Sequence, residues 1–320
     1  MGRCMFLSRR RWGAELMAVI LEEGRTLMIR ANRGDSAYWK GWVTYGEESI
    51  CQARMHASTS PGDPSYEPQY LFTLMQKHLH QMLRLYSAGN AVAQMTAYFP
   101  GLLDAWDRSK RLGAEQWNED EQYTRNAWRV NYDHYIVCFW LVGLALALEI
   151  PDQQWEQLLT LVGNEGEDHL LDRIIASRSP QRRIGDVLLY PKPYARLLKA
   201  IDDQPDQRAS ALLDFVQHWY GEVGAGARSG VGKQATVFKH PYWYRYGDEN
   251  FEGGAYFGRC CVEAVAAVKA FGLDDRLCLG QEHYPQALLH PETLPAQQSL
   301  EAQPEERRGF WSRLFNRKLG

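Results

Sequence analysis

Little in the sequence assigns a chemistry at sight, and each absence narrows the choice. Cysteine is sparse: Cys4, Cys51, Cys138, Cys260, Cys261 and Cys278 are the only six in 320 residues, and none forms a C-x-x-C pair. That excludes a disulfide framework and reads as reduced, mostly buried thiols, the pattern of a cytoplasmic protein. Long hydrophobic runs are missing too. The longest, residues 135–150, falls short of the ~20 residues that span a bilayer, so a buried helix is expected there. Near the start, Arg9, Arg10 and Arg11 precede an apolar stretch at 16–21, but Glu22 and Glu23 interrupt it at once. A secretory leader is therefore not expected. The body lacks period-2 alternation, which argues against sheet.

Catalytic signatures are equally scarce. G-x-S-x-G and H-E-x-x-H are absent, and no cysteine sits in a nucleophile signature. His78 and His80 are two apart and diverge on a helix; His134 beside Asp133 matches no metal-ligand spacing. Gly226-Ala227-Arg228-Ser229-Gly230-Val231-Gly232-Lys233-Gln234 superficially resembles a phosphate-binding loop. Ala227 stands at the required first glycine, Gln234 replaces the magnesium-binding hydroxyl, and no strand precedes it. The expectation is a protein that is not an enzyme, with no cofactor and no metal, and no nucleotide at 224–232.

What is present is aromatic and acidic. The chain has 11 Trp, 17 Tyr and 11 Phe, ample anchors for a core or an interface. Its net charge of -3 hides an uneven spread: residues 1–34 carry +4 and 291–320 carry +1, leaving -8 on the body. Acidic residues cluster at Glu119, Asp120 and Glu121; at Glu165, Glu167 and Asp168; at Asp202, Asp203 and Asp206; and at Asp248, Glu249 and Glu252. Each cluster suits a solvated helix N-terminus. Together they suit a surface that steers a basic partner and disfavour direct nucleic-acid binding.

Helical periodicity dominates from residue 36. Tyr70, Leu71, Leu74, Met75, Leu79, Met82, Leu83 and Tyr86 lie on one face, with Gly89-Asn90 as a stop. A second helix is expected over 91–108, kinked or broken at Pro100, and a third from Asn118 into the apolar run ending at Ile150. Leu158-Leu159 and Leu197-Leu198, then Leu170-Leu171 and Leu212-Leu213, repeat at offsets near 40, as stacked helical hairpins would. A last helix should carry Phe257, Cys261, Ala264, Val265, Val268 and Phe271 and stop at Gly272. The expected fold is all-α: antiparallel helical hairpins packed as a bundle, solenoid-like in the C-terminal half. The expected divisions are 1–34, an extension readable as a hairpin or as sequence upstream of a start at Met17 or Met28; 35–150 and 151–290, two helical domains; and 291–320, a flexible tail. Within the tail, Phe310, Trp311, Leu314 and Phe315 share a face among basic residues, so 307–319 suits weak contact with a membrane surface or a partner groove.

Several motifs carry a family likeness. His240-Pro241-Tyr242-Trp243-Tyr244, Gly254-Ala255-Tyr256-Phe257-Gly258-Arg259, the Glu-Ala run from Val262 to Lys269, Phe271-Gly272-Leu273-Asp274-Asp275 and His283-Tyr284-Pro285 resemble the C-terminal half of the PoNi family. Upstream, residues 38–55 resemble its first helix, Leu85-Tyr86-Ser87-Ala88-Gly89 its Tyr-Ser-x-Gly turn, and 140–150 its apolar helix. The likeness spans roughly residues 36–290. The chain departs from it where the family usually has a tryptophan, here Phe257 and Cys260. The resemblance implies an all-helical cytoplasmic immunity protein that binds and neutralises a cognate PoNe-type nuclease toxin without catalysis.

The body's acidity agrees, since nucleases present basic clefts. Asp248, Glu249 and Glu252, with Trp243, Tyr244 and Tyr246, are the first candidates for the toxin-binding surface; Glu165, Glu167 and Asp168 come next. A helical-repeat interaction scaffold and a helical enzyme of unrecognised class are the alternatives, and a homodimer is compatible with either half.

Overall fold

A computed structural model describes residues 28–59, 63–226 and 239–292. The expected hairpin at 16–29 falls almost wholly outside them, as do the glycine-rich loop beyond Gly226, the basic tail and Cys4. Among the described residues the fold is all-α, with no β-strand. Its helices are α1 (Ser36–Thr59), α2 (Glu67–Ser87), α3 (Phe99–Gln116), α4 (Glu119–Asn126), α5 (Tyr132–Ala147), α6 (Asp152–Val162), α7 (His169–Ala176), α8 (Pro191–Asp202), α9 (Arg208–Gly224), α10 (Tyr246–Glu249) and α11 (Val262–Phe271). None is long and apolar enough to cross a membrane.

Local chemistry sets most of the boundaries. Pro68, Pro100 and Pro191 lie in the first turns of α2, α3 and α8, where a missing N–H costs nothing. Pro100 therefore starts α3 instead of breaking a helix over 91–108; a 3-10 turn, Val92–Tyr98, leads into it. After α2, the Gly89 N–H donates to the Tyr86 carbonyl and the Asn90 N–H to that of Leu85, closing the helix end. Gly89 has φ +91°, and a Cβ there would fall 2.3 Å from the Met28 carbonyl oxygen.

The helix expected to run from Asn118 to Ile150 is two helices. Asn164 reaches across from another part of the chain: its Oδ1 accepts from the Trp128 N–H and its Nδ2 donates to the Asn126 carbonyl. Asn131 then restarts the chain, its Oδ1 accepting from the His134 N–H. The expected last helix begins five residues later than Phe257. Residues 257–261 form no helix; the Ser87 hydroxyl donates to the Phe257 carbonyl, and Gly258 turns with φ +97° against that serine.

Helix α5 is the centre. All its residues from His134 to Leu146 are buried. It packs on α11 through Gly143, where a Cβ would lie 2.8 Å from Val262 Cγ1 and 3.1 Å from Ala266 Cβ. One apolar cluster runs from Ile50 to Leu288, so both halves of the chain share a core; a second, of Trp39, Ala88 and Tyr256, closes the end near α1. Of the two expected C-terminal hairpins, α8 and α9 pair closely across a short connection. Their counterparts do not repeat that pairing: α6 lies on α3, and α7 on α11.

Candidate partner-binding surface

The turn before α11 gathers most of the residues singled out from the sequence, but assigns them different tasks. Asp248 is the hub. Its carboxylate lies 2.7 Å from Arg33 and 2.5 Å from Arg259 and accepts from the Tyr220 hydroxyl at 3.1 Å. Burial alone would raise its pKa; the hydrogen bond and charge of Arg259, then Tyr220 and Arg33, outweigh that and hold it low. The Arg259 guanidinium also sits 4.0 Å over the Tyr220 ring, and Arg33 sits 4.5 Å over Phe251. Asp248 thus ties the N-terminal strap at Arg33, helix α9 and the segment leading into α11. The recess beside it holds about 10 Å³, room for a single water.

The aromatic residues of this turn divide in the same way. Trp243 is 6% exposed, stacked at 6.0 Å on Trp219 and 5.1 Å from Trp140. It belongs to the core. Tyr244 is half-buried, packed on Tyr220, with its ring over Gly224, where any Cβ would strike it. Tyr246 is 55% exposed. Glu249 and Glu252 are exposed as well. The outward face of the turn is therefore Tyr246, Glu249 and Glu252, with Arg245 beside them on a backbone at φ +61°.

The second candidate cluster splits likewise. Asp168 is fully buried and caps α7, accepting from the Leu170 and Leu171 N–H groups at 3.0 and 2.7 Å, from Leu189 N–H and from the Tyr135 hydroxyl. Burial raises its pKa against those bonds. Glu167 pairs with Arg129, and Glu165 accepts from the Arg183 N–H at 2.7 Å while remaining exposed. Glu119, Asp120 and Glu121 open α4, where Asn118 and Glu121 form a reciprocal capping box.

The sequence did not single out the buried ion pair beneath this cluster. Asp172, fully buried, meets Arg182 at 2.7 Å and accepts from the N–H groups of Gly166, Asp168 and Gly185. Arg182 in turn donates to the Gly163 carbonyl. An acid at the fourth position after an N-capping aspartate was the one signal available, and it reads equally as a solvated helix face.

With this geometry in place, comparison with known proteins settles the family. The family model described as PoNe immunity protein (PoNi), N-terminal, matches residues 30–160, and that described as PoNe immunity proteins (PoNi), C-terminal, matches residues 166–288. The chain belongs to the PoNe immunity protein family. The fold is also similar to that of a Pseudomonas aeruginosa protein, PA2201, known from its crystal structure: TM-score 0.61, 18% identity, covering 83% of this chain and 91% of that one. Among curated proteins, none matches. In this PoNi chain the two family segments meet at residues 160–166, from the end of α6 into the loop before α7, where Asn164 bridges back to Asn126 and Trp128. The candidate turn lies wholly in the C-terminal segment, but its hub reaches Arg33 in the N-terminal one.

Proposed function

We propose that this protein neutralises a cognate PoNe-type nuclease toxin, a DNase delivered by a type VI secretion system, by tight and non-catalytic binding in the cytoplasm. The observation that carries the proposal is family membership over both halves of the chain. The surface we assign to first contact is the outward face of the turn: Tyr246, Glu249 and Glu252. Exposed carboxylates beside an exposed tyrosine combine long-range steering of a basic nuclease with a rigid anchor. Asp248, Trp243 and Tyr244 support that face from beneath. Glu165, on the surface near Glu167, is the secondary patch. The -8 charge of residues 35–290 favours a basic protein over nucleic acid as the partner.

Co-expression with a PoNe-type nuclease gives the test. Survival should require this protein. The double reversal Glu249→Lys/Glu252→Lys should slow association about tenfold at low salt, with the deficit shrinking at high salt. The melting temperature should not change, because neither side chain is held by a partner among the described residues. Unchanged association at low salt would move the interface to the Glu165 patch.

A further inference from the structure

A second feature lies among the helices of the N-terminal half. Helices α2, α3, α4 and α5, with Tyr242, enclose a cavity of about 380 Å³. That is the small end of the range for ligand sites. Aromatic rings wall it: Phe72, Trp106, Trp117 and Tyr242. Two polar groups in it are incompletely satisfied. Asp133 accepts one hydrogen bond, from the Tyr242 N–H at 3.0 Å, and pairs with no cation among the described residues. Burial pushes its pKa up to about 7 against that single bond. His134 is 4% exposed, and its Nδ1 has no partner; its Nε2 lies 3.5 Å from Cys138 Sγ. Burial, then the charge of Lys110, drives its pKa down to about 3, so the ring is neutral.

The cations that share the cavity are committed elsewhere. Lys110 Nζ donates to the Leu161 carbonyl at 2.8 Å. Arg125 lies 4.0 Å over the Trp117 ring and donates to Gln69 Oε1 at 2.6 Å. An acid without a counter-ion beside aromatic faces is the complement of one chemical group. We propose that this cavity binds an organic cation, an alkylammonium or guanidinium group, with Asp133 as counter-ion and Trp106 and Phe72 as flanking rings. The cation is either a free small molecule or a basic side chain inserted by a protein partner; both present the same chemistry.

The probe is N-acetylarginine amide, titrated into the full-length protein and followed by tryptophan fluorescence and calorimetry. The neutral citrulline analogue, which keeps the shape and loses the charge, is the control. Saturable binding of the arginine probe, at least about tenfold tighter than the control, is expected for a charge-assisted contact. Asp133→Asn keeps an acceptor for the Tyr242 N–H and should lose about tenfold for the arginine probe only. Gln76→Glu, which adds a carboxylate to the cavity wall, should tighten binding. Equal binding of the two probes, or arginine affinity unchanged in Asp133→Asn with a native melting curve, overturns the proposal. So does weaker binding in Gln76→Glu. Adding the nuclease then separates the sources: competition with the probe marks a partner side chain, and simultaneous binding marks a free small cation. Because Glu249→Lys/Glu252→Lys leaves the cavity intact, loss of toxin binding in that variant with probe binding retained keeps the two proposals distinct.

Discussion

A side chain's chemistry was easier to read from the sequence than its address. Asp248, Glu249 and Glu252 form one acidic cluster by spacing, and all three invite a steering role. The fold separates them: Asp248 is held between Arg33, Arg259 and Tyr220, whereas Glu249 and Glu252 face solvent. Trp243 and Tyr246, three residues apart, separate the same way. What decides between them is Trp219 and Trp140 stacking on Trp243, contacts from 24 and 103 positions upstream that no local pattern announces. It follows that reversing all three acids at once confounds two effects. Asp248→Lys should cost stability, because it sets a third cation between two arginines. The expected loss is about 2–4 kcal/mol, the range for stripping one partner from a partly buried, hydrogen-bonded charge network. Urea denaturation of Asp248→Lys beside Glu249→Lys/Glu252→Lys checks this: only the first should shift the midpoint. A shift in both would mean that the outward carboxylates also hold the fold.

At the scale of elements, the helices with a clear apolar stripe were legible, and the interruptions were not. Gly89 and Gly272 stop their helices as turn chemistry predicts. The break between α4 and α5 was hidden because its cause, Asn164, comes from a different stretch of chain. The repeat near 40 residues was real as a hydrophobic pattern and misleading as architecture. Amphipathic helices of similar length give the same offsets whether they pair with each other or, as α6 and α7 do, with α3 and α11. Two contacts decide how these elements sit. Gly143 lets α5 approach α11, so Gly143→Val should cost about 1–3 kcal/mol by overpacking, read as a lower urea midpoint. Arg182 locks the segment between α7 and α8 onto Asp172. Arg182→Ala leaves that carboxylate buried and unpaired and should cost about 3–5 kcal/mol. Limited proteolysis should then cut within 177–189 first. Protection of that segment equal to the native protein would show that the N–H groups around Asp172 suffice without the ion pair.

Over the whole molecule, burial of titratable groups sets how stability depends on pH. Two opposing sets share the core. His80 and His134 have pKa values lowered to about 3 and His78 to about 4, with desolvation as the first cause of each. Their folded forms refuse protons that the unfolded chain takes up below about pH 6.5, so they destabilise the fold as pH falls from there. Glu263 works the other way. It is fully buried on α11 and accepts a hydrogen bond from the Tyr194 hydroxyl at 3.2 Å. Burial lifts its pKa to about 7, against smaller opposing contributions from its own backbone, the Trp219 and Trp140 indoles and Tyr194. The folded protein keeps this proton while the unfolded chain loses it above its ordinary value of 4.5. Stability from Glu263 is therefore complete below about pH 4.5 and is lost as pH rises through 7. Replacing it by Gln keeps the acceptor for Tyr194 and removes the titration. Glu263→Gln should match the native protein near pH 4.5 and exceed it at pH 8 by up to about 3 kcal/mol. The histidines are unchanged in both proteins and cancel from the difference. Denaturant midpoints for the pair from pH 4.5 to 8 measure that difference directly. A gap that stays constant across the range would mean that Glu263 is ionised in the folded core at every pH tested, held there by the Trp219 and Trp140 indoles and the Tyr194 hydroxyl together.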